Sequence, residues 1–200
     1  DKTFDYVVPE SMRPDAPVGA VVRVELSGRR VGGWIVELDP LGALSGDALK
    51  SLGKVTGHGP DRSLIDLADW ASVRWAGRRR HFLSTASPER AVVSIPGSQR
   101  TGRVVEPRSP ASTALLAGGG GVLRLPPSSD PKPAIMSAVA LGPTLVVVPG
   151  ADHAMLLGAA LRRSGISVAV LPHDWALAAG GVDVVIENVG ALVSTLTIAL

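Results

Sequence analysis

Two aromatic side chains flank a carboxylate close to the start of the chain, at Phe4, Asp5 and Tyr6. Aromatic rings stack on unpaired bases, while Lys, Arg and backbone N–H groups contact phosphate. Taken singly, such aromatic residues are also typical of a hydrophobic core, and arginines are also typical of an ordinary solvated surface. Together they indicate binding of single-stranded nucleic acid or of a strand end. The basic residues that could contribute are Arg29, Arg30, Lys50, Lys54, Arg78, Arg79 and Arg80.

The residue types that most often catalyse reactions are scattered along the chain. Asp152-His153 and His173-Asp174 follow predicted strands, where a site could form, but helix caps and surface histidines are the favoured interpretation. There is no Gly-x-Ser-x-Gly motif. The absence of cysteine excludes a cysteine nucleophile, a disulfide scaffold and cysteine-ligated zinc or iron–sulfur sites. We therefore predict no catalytic residue and no metal site. The histidines without metal-ligand spacing are His58, His81, His153 and His173.

A nucleotide-binding loop is also missing where a parallel α/β unit would carry one. Such a loop has the pattern Gly-x-x-x-x-Gly-Lys-[Ser/Thr], since glycines let backbone N–H groups converge on phosphate oxygens. Residues 123–133 contain no glycine and four prolines, and each proline removes an N–H donor. Lys132 is present, but Pro133 replaces the hydroxyl that would hold magnesium. The sequence predicts that this loop does not bind a nucleoside triphosphate.

Composition places charge and apolar residues in different halves. The chain has 200 residues, of which 46% are hydrophobic and 4% aromatic, and its net charge is +2. Residues 1–100 hold 14 basic and 12 acidic side chains, whereas residues 101–200 hold six of each. If nucleic acid is a partner, the charge-dense first half is where it is expected to bind. The longest apolar run, 189–200, is about half the ~20 residues that a bilayer requires, so we predict a soluble, cytoplasmic protein.

Alternation of apolar and polar residues in the first half predicts a small antiparallel β-unit, with strands at 4–8, 20–26, 31–38 and 49–55. A helix capped by Asp61 or Ser63 is predicted to follow and to end at Gly77, before a short turn at 82–88. In this helix Trp75 is expected in the core and Trp70 at its rim. The predicted apolar face comprises Leu64, Leu67, Ala68, Ala71 and Trp75.

The second half alternates strands and helices, which predicts a parallel sheet buried on both faces. Predicted strands lie at 122–125, 144–148, 166–171 and 182–186, and predicted helices at 131–140, 152–164 and 174–179. We predict a domain at 1–97, a Gly/Pro/Ser-rich linker at 98–121, and a partial α/β lobe at 122–200. The expected fold class is α+β followed by α/β.

Several segments of the first half resemble the primosomal protein N′ (PriA) family of replication-restart DNA helicases. The resemblance covers residues 1 to about 96 in order, and the opening Thr-Phe-Asp-Tyr-x-x-Pro is its most specific part. In that family this region captures the 3′ end of the nascent leading strand at stalled forks and D-loops. The matching segments are residues 2–10, 19–24, 33–36, 49–50, 67–71 and 86–88.

The resemblance implies site residues in this chain. Phe4 and Asp5 would form the pocket for the terminal nucleotide and its 3′-hydroxyl, and Gly28 and Lys50 would complete it. Ser27 could take the place of Gly28, because the alignment at this turn is uncertain by one residue. Such a pocket is physically reasonable, since a hydroxyl donates to a carboxylate, an aromatic ring stacks on a base, and lysine neutralises phosphate. Weaker phosphate contacts are expected from Tyr6 and from the basic residues named above.

The second half resembles the start of the family's first helicase lobe, in a degenerate, P-loop-like form. The family implies ATP with magnesium and zinc as cofactors, but the chain contains neither a Walker loop, nor an Asp-Glu-x-His box, nor zinc cysteines. Some actinobacterial members lack the helicase motifs in the same way. We therefore predict a replication-restart protein that binds DNA without helicase activity or cofactors. Its expected partners are forked or D-loop DNA and replisome or single-strand-binding proteins, with no membrane, at the nucleoid.

Two alternatives remain open at this point. One is an ATP-dependent 3′–5′ DNA helicase with an unusual nucleotide site, and the other is a non-catalytic scaffold for protein partners.

Overall fold

The computed structural model describes residues 2–39, 49–102 and 109–188. These residues form two compact units, which divide between Ile95 and Pro96. The apolar run at 189–200 lies outside the described residues. None of the helices within the described ranges is both long enough and apolar enough to cross a membrane.

The first unit contains a three-stranded antiparallel sheet, which confirms the predicted antiparallel β-unit. Its strands are β1 (Val21–Leu26), β2 (Arg29–Trp34) and β3 (Lys54–Gly57), in the order β2-β1-β3. Ser27 and Gly28 join β1 to β2 with φ angles of 51° and 76°. Two successive positive φ angles are typical of the two-residue turn whose twist matches that of the flanking strands.

Residues 4–8, predicted as a strand, do not form one. Val7 makes only an isolated parallel bridge with Ser51, and a 3-10 helix (Glu10–Asp15) follows Pro9. Proline has no N–H to donate to a ladder, so Pro9 limits the pairing that this segment can make. Two other predicted strands are shorter than expected or shifted, since β2 ends at Trp34 and β3 begins at Lys54.

Two helices complete the first unit, α1 (Arg62–Arg74) and α2 (Arg79–Ala86). The predicted cap of α1 is confirmed, because the Leu64 N–H donates to the Asp61 carboxylate over 3.0 Å. The predicted turn at 82–88 is wrong, since most of it belongs to α2. This helix is short and carries charged residues in its first turn, so its sequence has little apolar periodicity. It forms because Leu83 is buried against α1.

The apolar face of α1 also differs from the prediction. Ile65, Ala68 and Ala71 are the buried residues, whereas Leu67 is exposed. The predicted core position of Trp75 is wrong, because Trp75 is as exposed as Trp70. The physical reason is that α2 packs on the Ile65 side of α1 through Leu83, and this contact selects the buried face of α1.

The second unit contains a parallel sheet with helices, as predicted. Its elements are α3 (Pro110–Ala117), α4 (Lys132–Val139), β4 (Thr144–Val148), α5 (Ala151–Arg163), β5 (Val168–Val170), α6 (Trp175–Gly180) and β6 (Val184–Asn188). The strands lie in the order β4-β6-β5, and α5 packs on the sheet through buried Leu157 and Leu161.

Three expectations for the second half need correction. Residues 122–125 are not a strand: no strand in the described part of the chain pairs with them, and Pro126 ends the run. The segment predicted as a linker, 98–121, contains α3, which Ser109 caps by accepting from the Ser112 N–H. The sheet is not covered on both faces, since Leu145 of edge strand β4 is 65% exposed.

Asp183 joins three parts of the second unit. Its carboxylate accepts hydrogen bonds from the N–H and hydroxyl groups of Ser167, before β5, and of Thr101. Burial raises the pKa of Asp183, but the hydrogen bonds from Ser167 and Thr101 outweigh it and leave the pKa below its usual value. Residues near position 100, predicted as linker, are therefore attached to the sheet.

Candidate nucleic-acid interface

Backbone hydrogen bonds hold the aromatic segment at the start of the chain beside residues 49–50. The Val7 N–H donates to the Lys50 carbonyl over 2.9 Å, and the Leu52 N–H donates to the Val7 carbonyl over 2.8 Å. The Tyr6 hydroxyl donates to the Glu25 carbonyl, 3.0 Å away at the end of β1. These bonds bring together three segments that are far apart in the sequence.

The three segments enclose an open cleft of about 240 Å³. The Phe4 ring at this cleft is 52% exposed, so its face remains available to a ligand. Of the four residues predicted for a strand-end pocket, the structure brings Phe4, Asp5 and Lys50 together. Ser27 lines the cleft, whereas Gly28 is not among the lining residues. The lining is Phe4, Asp5, Tyr6, Glu25, Leu26, Ser27, Leu49 and Lys50.

The charged groups of the cleft are two carboxylates and one ammonium, those of Asp5, Glu25 and Lys50. Lys50 Nζ lies 3.2 Å from Glu25 Oε1, in an ion pair that is exposed on both sides. One carboxylate is therefore neutralised and the net charge of the lining is negative. A negative cleft disfavours phosphate and favours a neutral hydrogen-bond donor such as a hydroxyl group.

The predicted phosphate contacts occupy other positions. Arg29 and Arg30 begin β2 beside the turn, and Lys54 begins β3 opposite Arg23 of β1. Arg78, Arg79 and Arg80 lie at the start of α2. Only Tyr6 of this weaker set lines the cleft, and its hydroxyl is engaged by the Glu25 carbonyl.

Arg79 is ion-paired to helix α1. Its Nη2 donates to the Asp69 carboxylate of α1 over 2.9 Å, which joins the two helices. We therefore assign Arg79 to helix packing.

The residues present do not fit a triphosphate or a zinc ion. The Lys132 N–H at the start of α4 donates to the Asp130 carboxylate over 2.9 Å, and Lys132 Nζ is 3.4 Å from the Ser164 hydroxyl. The Asp130 carboxylate thus accepts from the backbone N–H that a phosphate would need, and its negative charge would repel phosphate. The described part of the chain has no cluster of His, Asp and Glu suited to a metal ion.

Sequence reasoning missed Glu25, Leu26 and Leu49 in the cleft. Nothing in the sequence relates Glu25 to Lys50, which lies 25 positions further along the chain. It also missed the exposed pairing of Trp70 with Trp75, whose rings lie 5.3 Å apart. The sequence signals for the cleft were a predicted hairpin turn and an aromatic segment at the start of the chain. Both features are too common in proteins to indicate which residues contact each other.

Comparison with known proteins shows which part of the chain is similar to them. Residues 1–88 match the family of PriA 3′ DNA-binding domains (3′BD). The chain is also 32% identical over 127 residues to proteins described as probable replication restart protein PriA from Mycobacterium tuberculosis and Mycobacterium bovis. That alignment covers 60% of this chain, which is more than residues 1–88 alone. The chain spans only 19% of the length of these relatives.

Proposed function

Residues 1–88 of this chain match the family of PriA 3′ DNA-binding domains, and from this match we propose that the chain recognises the 3′ end of a nascent strand at forks and D-loops. In the proposed complex the Phe4 ring stacks on the terminal base, and the Asp5 carboxylate accepts a hydrogen bond from the 3′-hydroxyl. Ser27, at the β1–β2 turn, closes the cleft beside them.

The observation that carries this proposal is the charge of the cleft. Asp5 and Glu25 contribute two carboxylates against the single ammonium of Lys50. A strand interior would bring phosphate against these carboxylates, whereas a 3′-terminal hydroxyl brings a neutral donor. The cleft is therefore suited to an end without phosphate. Lys50, which is exposed, can reach the phosphate that precedes the terminal nucleotide while remaining paired with Glu25.

For the second unit we propose a degenerate helicase-like lobe that does not hydrolyse ATP and that positions other replisome proteins. Two observations support it: a parallel sheet flanked by helices, and the Asp130 carboxylate at the start of α4. The proposed setting is the cytoplasm, at the nucleoid. A scaffold for proteins alone is the second candidate, favoured by the exposed Leu145 face of the sheet.

The test compares binding of one single-stranded oligonucleotide ending in either a 3′-hydroxyl or a 3′-phosphate. We expect the 3′-hydroxyl form to bind about tenfold more tightly, and Asp5→Ala to remove that preference. A hydrogen bond to a charged acceptor contributes ~1.5 kcal/mol or more, which corresponds to this factor. Fluorescence anisotropy at fixed salt concentration measures both affinities.

Asp15→Ala is the matched control, because Asp15 is also an exposed aspartate of the first unit but does not line the cleft. It should leave the preference unchanged. Equal affinity of the wild-type chain for both ends, or an unaltered preference in Asp5→Ala, would refute recognition of the 3′ end.

A further inference from the structure

Helices α1 and α2 carry three aromatic rings in contact with one another, with two of them largely in solvent. Trp70 and Trp75 are each 56% exposed, and their rings meet edge to face at 5.3 Å. Trp75 stacks on Phe82 of α2, with ring centroids 6.4 Å apart and an angle of 28° between the planes. We name Trp70, Trp75 and Phe82 the aromatic surface. It does not overlap the lining of the cleft.

The backbone between the helices holds the aromatic surface in place. A Cβ atom at Gly77 would lie 2.8 Å from the Phe82 ring, so a larger residue here would require this ring to shift. The Gly77 N–H donates to the Ser72 carbonyl over 3.0 Å, and Ala76 adopts a φ of 50°. Rings held in this way lose little conformational freedom when a ligand stacks on them.

Arginines lie next to the rings in the sequence. Residues 74–81 contain four arginines and no carboxylate, and the nearby Asp69 is already paired with Arg79. Within the described ranges, Arg74 and Arg78 take part in no ion pair. Exposed aromatic faces beside unneutralised arginines are the combination that binds unpaired bases and their phosphates.

We propose that the aromatic surface, together with Arg74 and Arg78, binds single-stranded DNA by stacking of bases on Trp70 and Trp75. This contact is additional to recognition of the 3′ end and does not depend on it. A fork or D-loop exposes unpaired bases as well as a strand end, so one domain would contact both. The arginine-rich charge favours nucleic acid over an apolar protein partner.

The experiment uses the full chain and a short oligo(dT) strand whose 3′ end is blocked by phosphate, so that the cleft contributes little. Trp70→Ala should weaken binding by about 5- to 150-fold, the range found when a stacking aromatic residue is removed. Trp70→Phe should keep most of the affinity, since it retains a ring. An abasic strand of equal length should bind the wild-type chain more weakly, and Trp70→Ala should not weaken it further.

Val73→Ala is the matched control, because Val73 is 85% exposed on the same helix and has no ring. Thermal unfolding of each variant establishes that the fold is kept. Wild-type affinity in Trp70→Ala, or equal binding of the abasic and dT strands, would overturn the proposal. So would altered self-association in a variant that binds DNA normally, which would identify a protein contact instead. Trp70→Ala should weaken binding of 3′-hydroxyl and 3′-phosphate strands by the same factor, which separates this proposal from recognition of the 3′ end.

Discussion

In the cleft of the first unit, Glu25 changes which ligands Asp5 and Lys50 can bind. Asp5 and Lys50 alone would form a neutral pair suited to a nucleotide with its phosphate. Glu25 adds a second carboxylate and engages Lys50 Nζ at 3.2 Å. The ammonium is thereby partly neutralised, and the balance moves towards a ligand without negative charge. Glu25 is thus expected to increase the preference between strand ends that Asp5 provides.

We predict that Glu25→Gln narrows the difference between 3′-hydroxyl and 3′-phosphate strands by up to about fivefold. Removing the carboxylate frees the Lys50 ammonium for the terminal phosphate, and an exposed ion pair contributes about 0.2–1 kcal/mol. Affinity for the 3′-phosphate strand should rise while affinity for the 3′-hydroxyl strand changes little. Competition binding with the two strands measures the change.

Asp66→Asn is the control for this substitution, because Asp66 also pairs with an exposed cation, Arg62, over 2.9 Å. It removes the same charge from the first unit but lies outside the cleft lining. If both substitutions narrow the preference equally, the effect is one of overall charge and Glu25 has no special role.

Among the secondary-structure elements, α1 has the clearest start signal in the sequence, the capping residue Asp61. The Asp61 carboxylate accepts from the Leu64 N–H and from the Ser63 hydroxyl. The Leu64 backbone hydrogen bond, followed by the Ser63 hydroxyl, holds the pKa of Asp61 below its ordinary value of 3.8. A carboxylate at a helix start also interacts favourably with the helix dipole.

We predict that Asp61→Ala lowers the unfolding free energy of the first unit by about 1 kcal/mol at pH 7. Because the folded pKa is below the unfolded one, the stabilisation from ionised Asp61 is complete above pH 3.8 and is lost as the pH falls through the folded pKa. The difference in unfolding free energy between Asp61→Ala and the wild type should therefore become smaller as the pH falls below 3.8. Urea unfolding at several pH values measures it, and a constant difference down to the lowest pH would contradict the role of the ionised carboxylate.

Other elements could not be recognised from local sequence. Helix α2 begins with Arg79 and Arg80 and has no side-chain cap, so it lacks both a start signal and a clear apolar stripe. It is stabilised by burial of Leu83 against α1 and by the Arg79–Asp69 ion pair. These contacts exist only in the folded unit, which is why tertiary packing decided this element.

In the molecule as a whole, two units with different surface chemistry follow one another. The first has an antiparallel sheet and most of the exposed arginines, and the second has a parallel sheet with an apolar core. Residues 1–88 account for the family match. The proposed DNA contacts lie in the first unit, and in the second unit the Asp130 carboxylate accepts from the Lys132 N–H at the start of α4.

We predict that the chain gives no DNA-stimulated ATP hydrolysis and no saturable binding of a fluorescent ATP analogue. The Lys132 N–H is engaged by Asp130, and prolines replace the glycines of a phosphate-binding loop. Phosphate release with forked DNA and titration with the analogue measure the two properties. DNA-stimulated turnover that Lys132→Ala abolishes would instead support the alternative of an active helicase.

Composition, motif spacing and periodicity were sufficient for the antiparallel and parallel halves and for the Asp61 cap, because these depend on residues close together in the sequence. The family resemblance, by contrast, was what grouped Phe4, Asp5 and Lys50 as one pocket. Tertiary structure alone decided that Glu25 pairs with Lys50, that Ser27 lines the cleft while Gly28 does not, and that Trp75 lies in solvent beside Trp70. Each of these depends on which elements pack against each other. Local sequence does not specify that packing, because the energies that select it come from contacts between distant segments.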